Sequence, residues 1–296
     1  MSLPSKITAV VKRLKKGGAK AALADSTDVT SAGEPGVTAT DLLAKRPPIS
    51  VALAAKDGAR FLVEQVVSIL PQLTASDELI ISVDPSEDDT LELARALAET
   101  TSGAAAPRFT VLEGPGRTIA ANFEQALRAC TNEIIFLADQ DDIWLEDKVS
   151  TILKAFARSD ALLICHDAAI VDEHLNLLEL SYFSWHKSHG GLVRSVLRNS
   201  YVGCCLALRR ELLNAALPFP PNIPMHDQWL GCLAERFRRT LFLESPLILY
   251  RRHSANSTSD RHAGLKQMLG WRAALLKALI KRKSPQRPRG PRKGIE

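Results

Sequence analysis

Between residues 49 and 142 the sequence alternates short apolar blocks with amphipathic ones, and this alternation restricts the fold more than any other feature. Ile49–Ala54, Glu78–Val83, Phe109–Leu112 and Glu133–Ala138 read as strands. Arg60–Leu73 sets Leu62, Val66, Ile69 and Leu70 on one helical face, and Thr90–Glu99 and Ile119–Cys130 read as further helices. Strand and helix at this spacing predict right-handed βαβ units and an α/β fold, with a mostly parallel central sheet flanked by helices. Ligands of such sheets bind outside the carboxyl ends of the strands. The polar residues cluster there: Lys56 and Asp57, Asp84, and Asp139–Asp142.

The second half is less regular. Ala161–Cys165, Tyr201–Leu208 and Leu241–Leu249 are expected strands, and Leu192–Val196 and Asp227–Arg236 expected helices. The organisation expected is a basic segment and linker at 1–48, a folded domain at 49–260, and a basic amphipathic helix with a disordered tail at 261–296. Within the domain, the regular stretch 49–142 and the less regular stretch 143–260 read as two halves. The Leu265–Ile280 stretch is the amphipathic helix.

Charge is unevenly placed. The whole chain is +5, but residues 1–20 carry six Lys/Arg and no acid, and residues 261–296 carry eleven Lys/Arg and one acid. The part between is therefore acidic, which argues against a nucleic-acid-binding core and suits tails lying near an anionic membrane surface. The five cysteines show no zinc-type spacing and sit in apolar contexts, so buried free thiols in a reducing compartment are expected. The basic N-terminus lacks a following apolar region, and no apolar run approaches the length of a membrane span. The expected location is cytoplasmic, peripheral on the inner face of the cell membrane.

Asp139-Gln140-Asp141-Asp142 follows the apolar run Ile134–Leu137. Three carboxylates at a strand end repel one another unless a cation sits among them. Mg²⁺ or Mn²⁺ suits such a site, being hard, oxygen-preferring and ready to share its shell with phosphate oxygens. A solvated loop in which Asp142 caps a helix entering at Ile143 is the alternative.

The segment Phe136–Trp144 resembles the DxD region of inverting family 2 glycosyltransferases of the GT-A fold, and is closest to bacterial members that assemble surface polysaccharides, including rhamnosyltransferases. The resemblance extends over about residues 49–260 and implies a nucleotide-binding half at 49–142 and an acceptor half at 143–260. Ala54-Ala55-Lys56-Asp57-Gly58 stands where the family has a Tyr-Asn-Gly turn beside the nucleotide, and Ser82–Ser86 where it has Asp-Asp-Gly-Ser. The resemblance thus places Ala54, Lys56, Asp84 and Asp139 at the nucleotide. Val83 and Pro85 depart from the family pattern, and Lys56 replaces an aromatic platform. Gly116-Arg117 to Asn122-Phe123 resembles the family's Gly-x-x-x-x-Asn-Phe helix start. It implies Asn122 beside the nucleotide and Arg117 either on a diphosphate or as an exposed loop residue.

Met225–Trp229 resembles the acceptor-side motif in which the acid is the catalytic base, here Asp227. An inverting transfer needs one carboxylate to take the acceptor hydroxyl's proton, although Asp227 could equally cap its helix. Tyr250–Ser257 resembles a segment whose His completes the metal site, so Asp141 and His253 are the implied metal ligands. His166 and Asp167 are expected to face the donor sugar, and Trp229 either stacks on a sugar or is core. The activity implied is metal-dependent transfer from a nucleoside diphosphate sugar, with dTDP-rhamnose the first candidate, to a glycan or lipid-linked acceptor. A sugar nucleotidyltransferase would show a Gly-rich phosphate loop, which Ala54–Gly58 lacks. A non-catalytic glycan-binding scaffold on the same fold is the other rival.

Overall fold

The computed structural model describes residues 46–101, 103–221, 223, 225–253 and 265–285. The expected helix at residues 1–20, most of the linker, residues 254–257 of the last motif and the end of the basic tail lie outside them.

The first half follows the predicted alternation. Strands β1 (Ile49–Ala55), β2 (Glu78–Val83), β3 (Arg108–Glu113) and β4 (Ile134–Asp139) run parallel in the order β3-β2-β1-β4. Helices α1 (Ala59–Ile69), α2 (Thr90–Thr100) and α3 (Ile119–Ala129) connect them. β2 is buried along its whole length and β1 and β4 almost so, which is why they read as continuous apolar runs. β3 is the edge and is only half-buried. α1 ends at Ile69 and passes into a 3₁₀ turn carrying Pro71, four residues before the expected helix end at Leu73.

The sheet continues through the second half as β8 (Leu206–Arg209), β6 (Leu163–Asp172), β9 (Thr240–Arg252) and β5 (Ile143–Trp144). β8 is antiparallel to both β4 and β6, so the strand direction reverses beside β4. β7 (Leu177–Glu179) pairs with β6 off this path. Helices α4 (Lys148–Ala157), α5 (Tyr182–His186), α6 (Leu192–Leu197), α7 (Arg210–Ala216), α8 (His226–Arg236) and α9 (Leu265–Lys281) complete the described elements.

Three expectations are corrected. No helix enters at Ile143: Ile143–Trp144 is a strand, and α4 starts at Lys148. Asp142 therefore caps nothing, and its Oδ1 accepts from the Arg251 backbone N–H instead. Tyr201–Leu208 is not one strand, because Gly203–Cys205 forms a 3₁₀ turn before β8. A Cβ on Gly203 would lie 2.7 Å from His226 Nε2, so this turn brings the backbone against a side chain that no other residue could approach so closely. β6 outruns its prediction: the polar pair His166-Asp167 interrupts the apolar run, and the chain accommodates it with a register shift against β9.

The five cysteines are free and buried, as their apolar contexts imply. α8 packs tightly on the following layer: a Cβ on Gly231 would fall 2.2 Å from the Tyr201 ring, and the Tyr201 hydroxyl donates to Glu235 Oε1 at 3.0 Å. Gly231→Ala should therefore lower stability by about 1–3 kcal/mol through overpacking. Thermal unfolding checks this, and an unchanged melting temperature would show that the ring yields without cost.

Candidate active site

The carboxyl ends of β1, β2 and β4 open into a cavity of about 400 Å³. Its floor is built by short-range necessity. Gly58 leaves room for Gln140: a Cβ there would sit 2.1 Å from Gln140 Oε1 and displace that side chain. That side chain clasps the Lys56 peptide from both sides, accepting from Lys56 N–H and donating to Lys56 C=O, each at 2.8 Å. The β1 turn and the acidic run are thus one unit. Asp84 Oδ1 accepts the Gly116 N–H at 2.8 Å, and Asn122 Nδ2 donates to Ala55 C=O at 3.2 Å. Asn122 Oδ1 is buried with no partner among the described residues.

Of the residues singled out in the sequence, Ala54, Lys56, Asp84, Asn122, Asp139, Asp141 and Asp227 line this cavity. His253 stands directly behind it, with Nε2 2.8 Å from Asp141 Oδ2. Four do not reach it. Arg117 is exposed on the approach to α3. Trp229 is fully buried, donates Nε1–H to Ala216 C=O at 3.2 Å, and belongs to the core. His166 is fully buried in β6 with Nδ1 against Asp167 C=O. Asp167 holds the start of α5: its carboxylate accepts the Ser181 hydroxyl and the Phe183 N–H. Trp229, His166 and Asp167 therefore do not line this cavity: Trp229 packs in the core, Asp167 anchors α5, and His166 is buried with Nε2 lacking a partner among the described residues.

The rest of the wall comes from residues the sequence reading passed over. α5 contributes Tyr182 and His186, the segment before β8 contributes Asn199, Tyr201 and Gly203, and α8 contributes His226. His226 sat inside the Met225–Trp229 motif, so its neighbourhood to Asp227 was a visible signal. The α5 pair carried none, being set by Asp167 from another strand. His226 stacks on Phe123 at 3.9 Å, and neither ring nitrogen has a partner among the described residues. Burial pushes its pKa down to about 3, so the ring is neutral.

Asp227 sits in the first turn of α8, whose N-cap is Met225, so Asp227 is not itself the cap. Its Oδ2 accepts from Asn199 Nδ2 at 3.1 Å, and its Oδ1 from the Gln228 N–H at 2.6 Å. Burial lifts its pKa to about 6. A carboxyl poised there suits proton acceptance near neutral pH.

The acidic run has two faces. On the inner face, ligand atoms of Asp139, Asp142 and Cys204 lie within 4.8 Å of one another. Burial and mutual repulsion hold both carboxyls above their usual range. Lys148 lies fully buried beside them, donating to Cys204 C=O at 2.9 Å and standing 4.0 Å over the Trp144 ring. Burial lowers its pKa to about 8, which still leaves it a cation at neutral pH. That cation already compensates the inner face. The cavity face offers Asp139 and Asp141 with His253 behind, two carboxylates and an imidazole of the type that hold Mg²⁺ or Mn²⁺.

Residues 50–217 match the family described as Glycosyl transferase family 2. This chain belongs to that family. Among curated proteins it is similar to an uncharacterized glycosyltransferase of Nostoc sp., 27% identical over 217 residues, covering 71% of this chain and 66% of the relative, just under two thirds. It is also similar to the dTDP-rhamnosyl transferase RfbG of Shigella flexneri, 24% identical, covering 69% of this chain and 72% of that protein. Among solved structures, S. aureus TarS residues 1-349 in complex with UDP-GlcNAc matches with a TM-score of 0.59 at 14% identity, over 79% of this chain and 67% of that one. The mannosyltransferase PcManGT from Pyrobaculum calidifontis, in complex with GDP-Man and Mn²⁺, matches at 0.53 and 16% identity, over 93% and 82%. These likenesses agree with the fold: this family 2 chain has the GT-A arrangement of a largely parallel sheet flanked by helices.

Proposed function

We propose that this family 2 glycosyltransferase moves a sugar, with inversion, from a nucleoside diphosphate sugar to a hydroxyl of a glycan or lipid-linked acceptor in surface polysaccharide assembly. The observation that carries the reading is the cavity itself. Asp84, Asp139 and Asp141 stand along its sheet side, and Asp227 faces the same space from α8. Its volume of about 400 Å³ falls in the range of small-molecule sites.

In this reading the turn at Ala54–Lys56, with Asp84 and Asn122, holds the nucleoside. Asp141 and His253, with Asp139, would hold Mg²⁺ or Mn²⁺, which neutralises the departing diphosphate when bound. Asp227 takes the proton of the acceptor hydroxyl as its oxygen bonds to the anomeric carbon and the bond from that carbon to the diphosphate oxygen breaks. Asn199 keeps the Asp227 carboxylate turned toward the cavity.

dTDP-rhamnose is the donor proposed first, because the Shigella relative bears that activity in its name. The test is calorimetric titration of the protein with dTDP-rhamnose, UDP-GlcNAc and GDP-mannose, each with and without Mn²⁺. Binding of dTDP-rhamnose at least about tenfold tighter than the others, worth ~1.4 kcal/mol, and dependent on metal is the expected result. Preference for another of the three would reassign the donor, and binding of none would remove all three as donors.

A further inference from the structure

We propose that the face formed by α6 and α9 docks on an anionic lipid bilayer. α9 packs against the domain through Leu275 and Leu279, which are 1% and 2% exposed. Its outer side is apolar as well. Leu269, Leu276 and Ile280 fall seven and four residues apart, so they share one face, and they are 56%, 47% and 76% exposed. Arg272 reaches across to donate to Leu197 C=O at 2.7 Å, which brings the end of α6 alongside this stripe. There Val193 and Leu197 are themselves 75% and 56% exposed. Two helices thus present five large aliphatic side chains to solvent on adjoining surfaces, a grouping that soluble surfaces rarely carry without a partner.

Charge selects the partner. Lys277, Lys281 and Lys283 on α9 and just beyond, and Arg198 after α6, are exposed around the stripe. Residues 187–200 and 265–285 contain no acid at all. The sequence continues past this face with Arg287, Arg289, Arg292 and Lys293 before a single Glu296. An apolar stripe edged by cations, on helices that themselves carry no carboxylate although Glu235 accepts the Gly191 N–H at the start of α6, matches a helix lying in the boundary of an anionic membrane, where aliphatic groups enter the acyl layer and lysines meet phosphates. A second copy of this chain fits poorly, because a two-fold contact would set the same cations against one another. No described helix is long and apolar enough to cross a membrane, so the contact is with the surface.

The experiment is co-sedimentation of the full chain with vesicles of phosphatidylcholine alone and with about 30% phosphatidylglycerol added. Partitioning at least about tenfold higher on the anionic vesicles is expected. Leu269→Ser/Leu276→Ser/Ile280→Ser and, separately, Lys277→Glu/Lys281→Glu should each lower it by about tenfold. All five side chains point outward, so melting temperatures should match wild type. Equal pelleting by the aliphatic triple variant overturns the inference, since charge in the remaining chain would then suffice. So does a dimer in light scattering that this variant converts to monomer. Nucleotide binding is read on the same preparations. Wild-type protein that binds nucleotide but ignores anionic vesicles counts against this face alone, and wild-type protein that binds the vesicles but no nucleotide counts against the transferase reading alone.

Discussion

The Asp227→Asn protein should bind its donor within about twofold of wild type yet transfer sugar at least about a hundredfold more slowly, roughly 2.7 kcal/mol of barrier. The amide keeps the carboxylate's size but accepts no proton. Wild-type kcat/KM should climb as pH rises through about 6, where the buried carboxyl ionises, and level off above. The same burial gives a second readout in stability. Below the ordinary carboxyl pKa of 3.8 both folded and unfolded chains hold the proton. As pH rises toward about 6 the unfolded chain releases it and the folded chain does not, so the wild-type fold loses stability across that window, by about 3 kcal/mol in all. Asn has no such term. Thermal unfolding of both proteins from pH 4 to pH 7 should show the difference, variant minus wild type, growing more positive up to about pH 6 and levelling off above it. A constant difference would mean the carboxyl is not held in its raised state by burial. Unchanged transfer would remove Asp227 from the chemistry.

Asp141→Asn should be as damaging, at the other end of the cavity. If Asp141 presents the charged oxygen to a divalent cation, the amide should lower Mn²⁺-dependent nucleotide affinity by at least about a hundredfold, roughly 2.7 kcal/mol. Weak metal-free binding through Asp84 and the Lys56 turn should persist. His253→Ala should cost less, because Asp139 and Asp141 both remain on the cavity wall. Titrating dTDP and UDP into the three proteins with and without Mn²⁺ separates these cases. Tight binding that ignores both the metal and Asp141 would end the metal assignment.

The sequence made the nucleotide half legible because its strands are buried on both sides. Buried runs such as Leu79–Val83 and Ile134–Ala138 read as strands, and each is followed by an acid, Asp84 or Asp139, that the parallel sheet must deliver to the same edge. Asp84, Asp139 and Asp141 were legible for that reason, whereas Asn122, on α3, was placed only by the resemblance of its helix start. The acceptor half defeated local reading because its geometry is set by distant contacts. Tyr182 and His186 reach the wall only because Asp167, a strand away, fixes the start of α5. Trp229 illustrates the opposite limit: a tryptophan two positions from Asp227 faces the other side of α8 and lands in the core. Lys148 was invisible as a partner for the acids, since nothing in Asp142-Ile143-Trp144 announces that the chain turns back to bury a lysine beneath them.

The last turn of β9 has a consequence for how the chain matures. The backbone N–H of Arg251 caps Asp142, its guanidinium donates to the Asp141 carbonyl and to Glu64, and His253 reaches the Asp141 carboxylate. The acidic run leaves the ribosome more than a hundred residues ahead of these partners. Until β9 slots in beside β6 and β5, Asp141 and Asp142 lack these donors, and Lys148 alone offsets the charge of the run's inner face. A product interrupted inside β9 therefore loses the sheet's closing strand and the relief of its acids in one stroke. On the proposed reading, donor binding then waits until synthesis has passed β9.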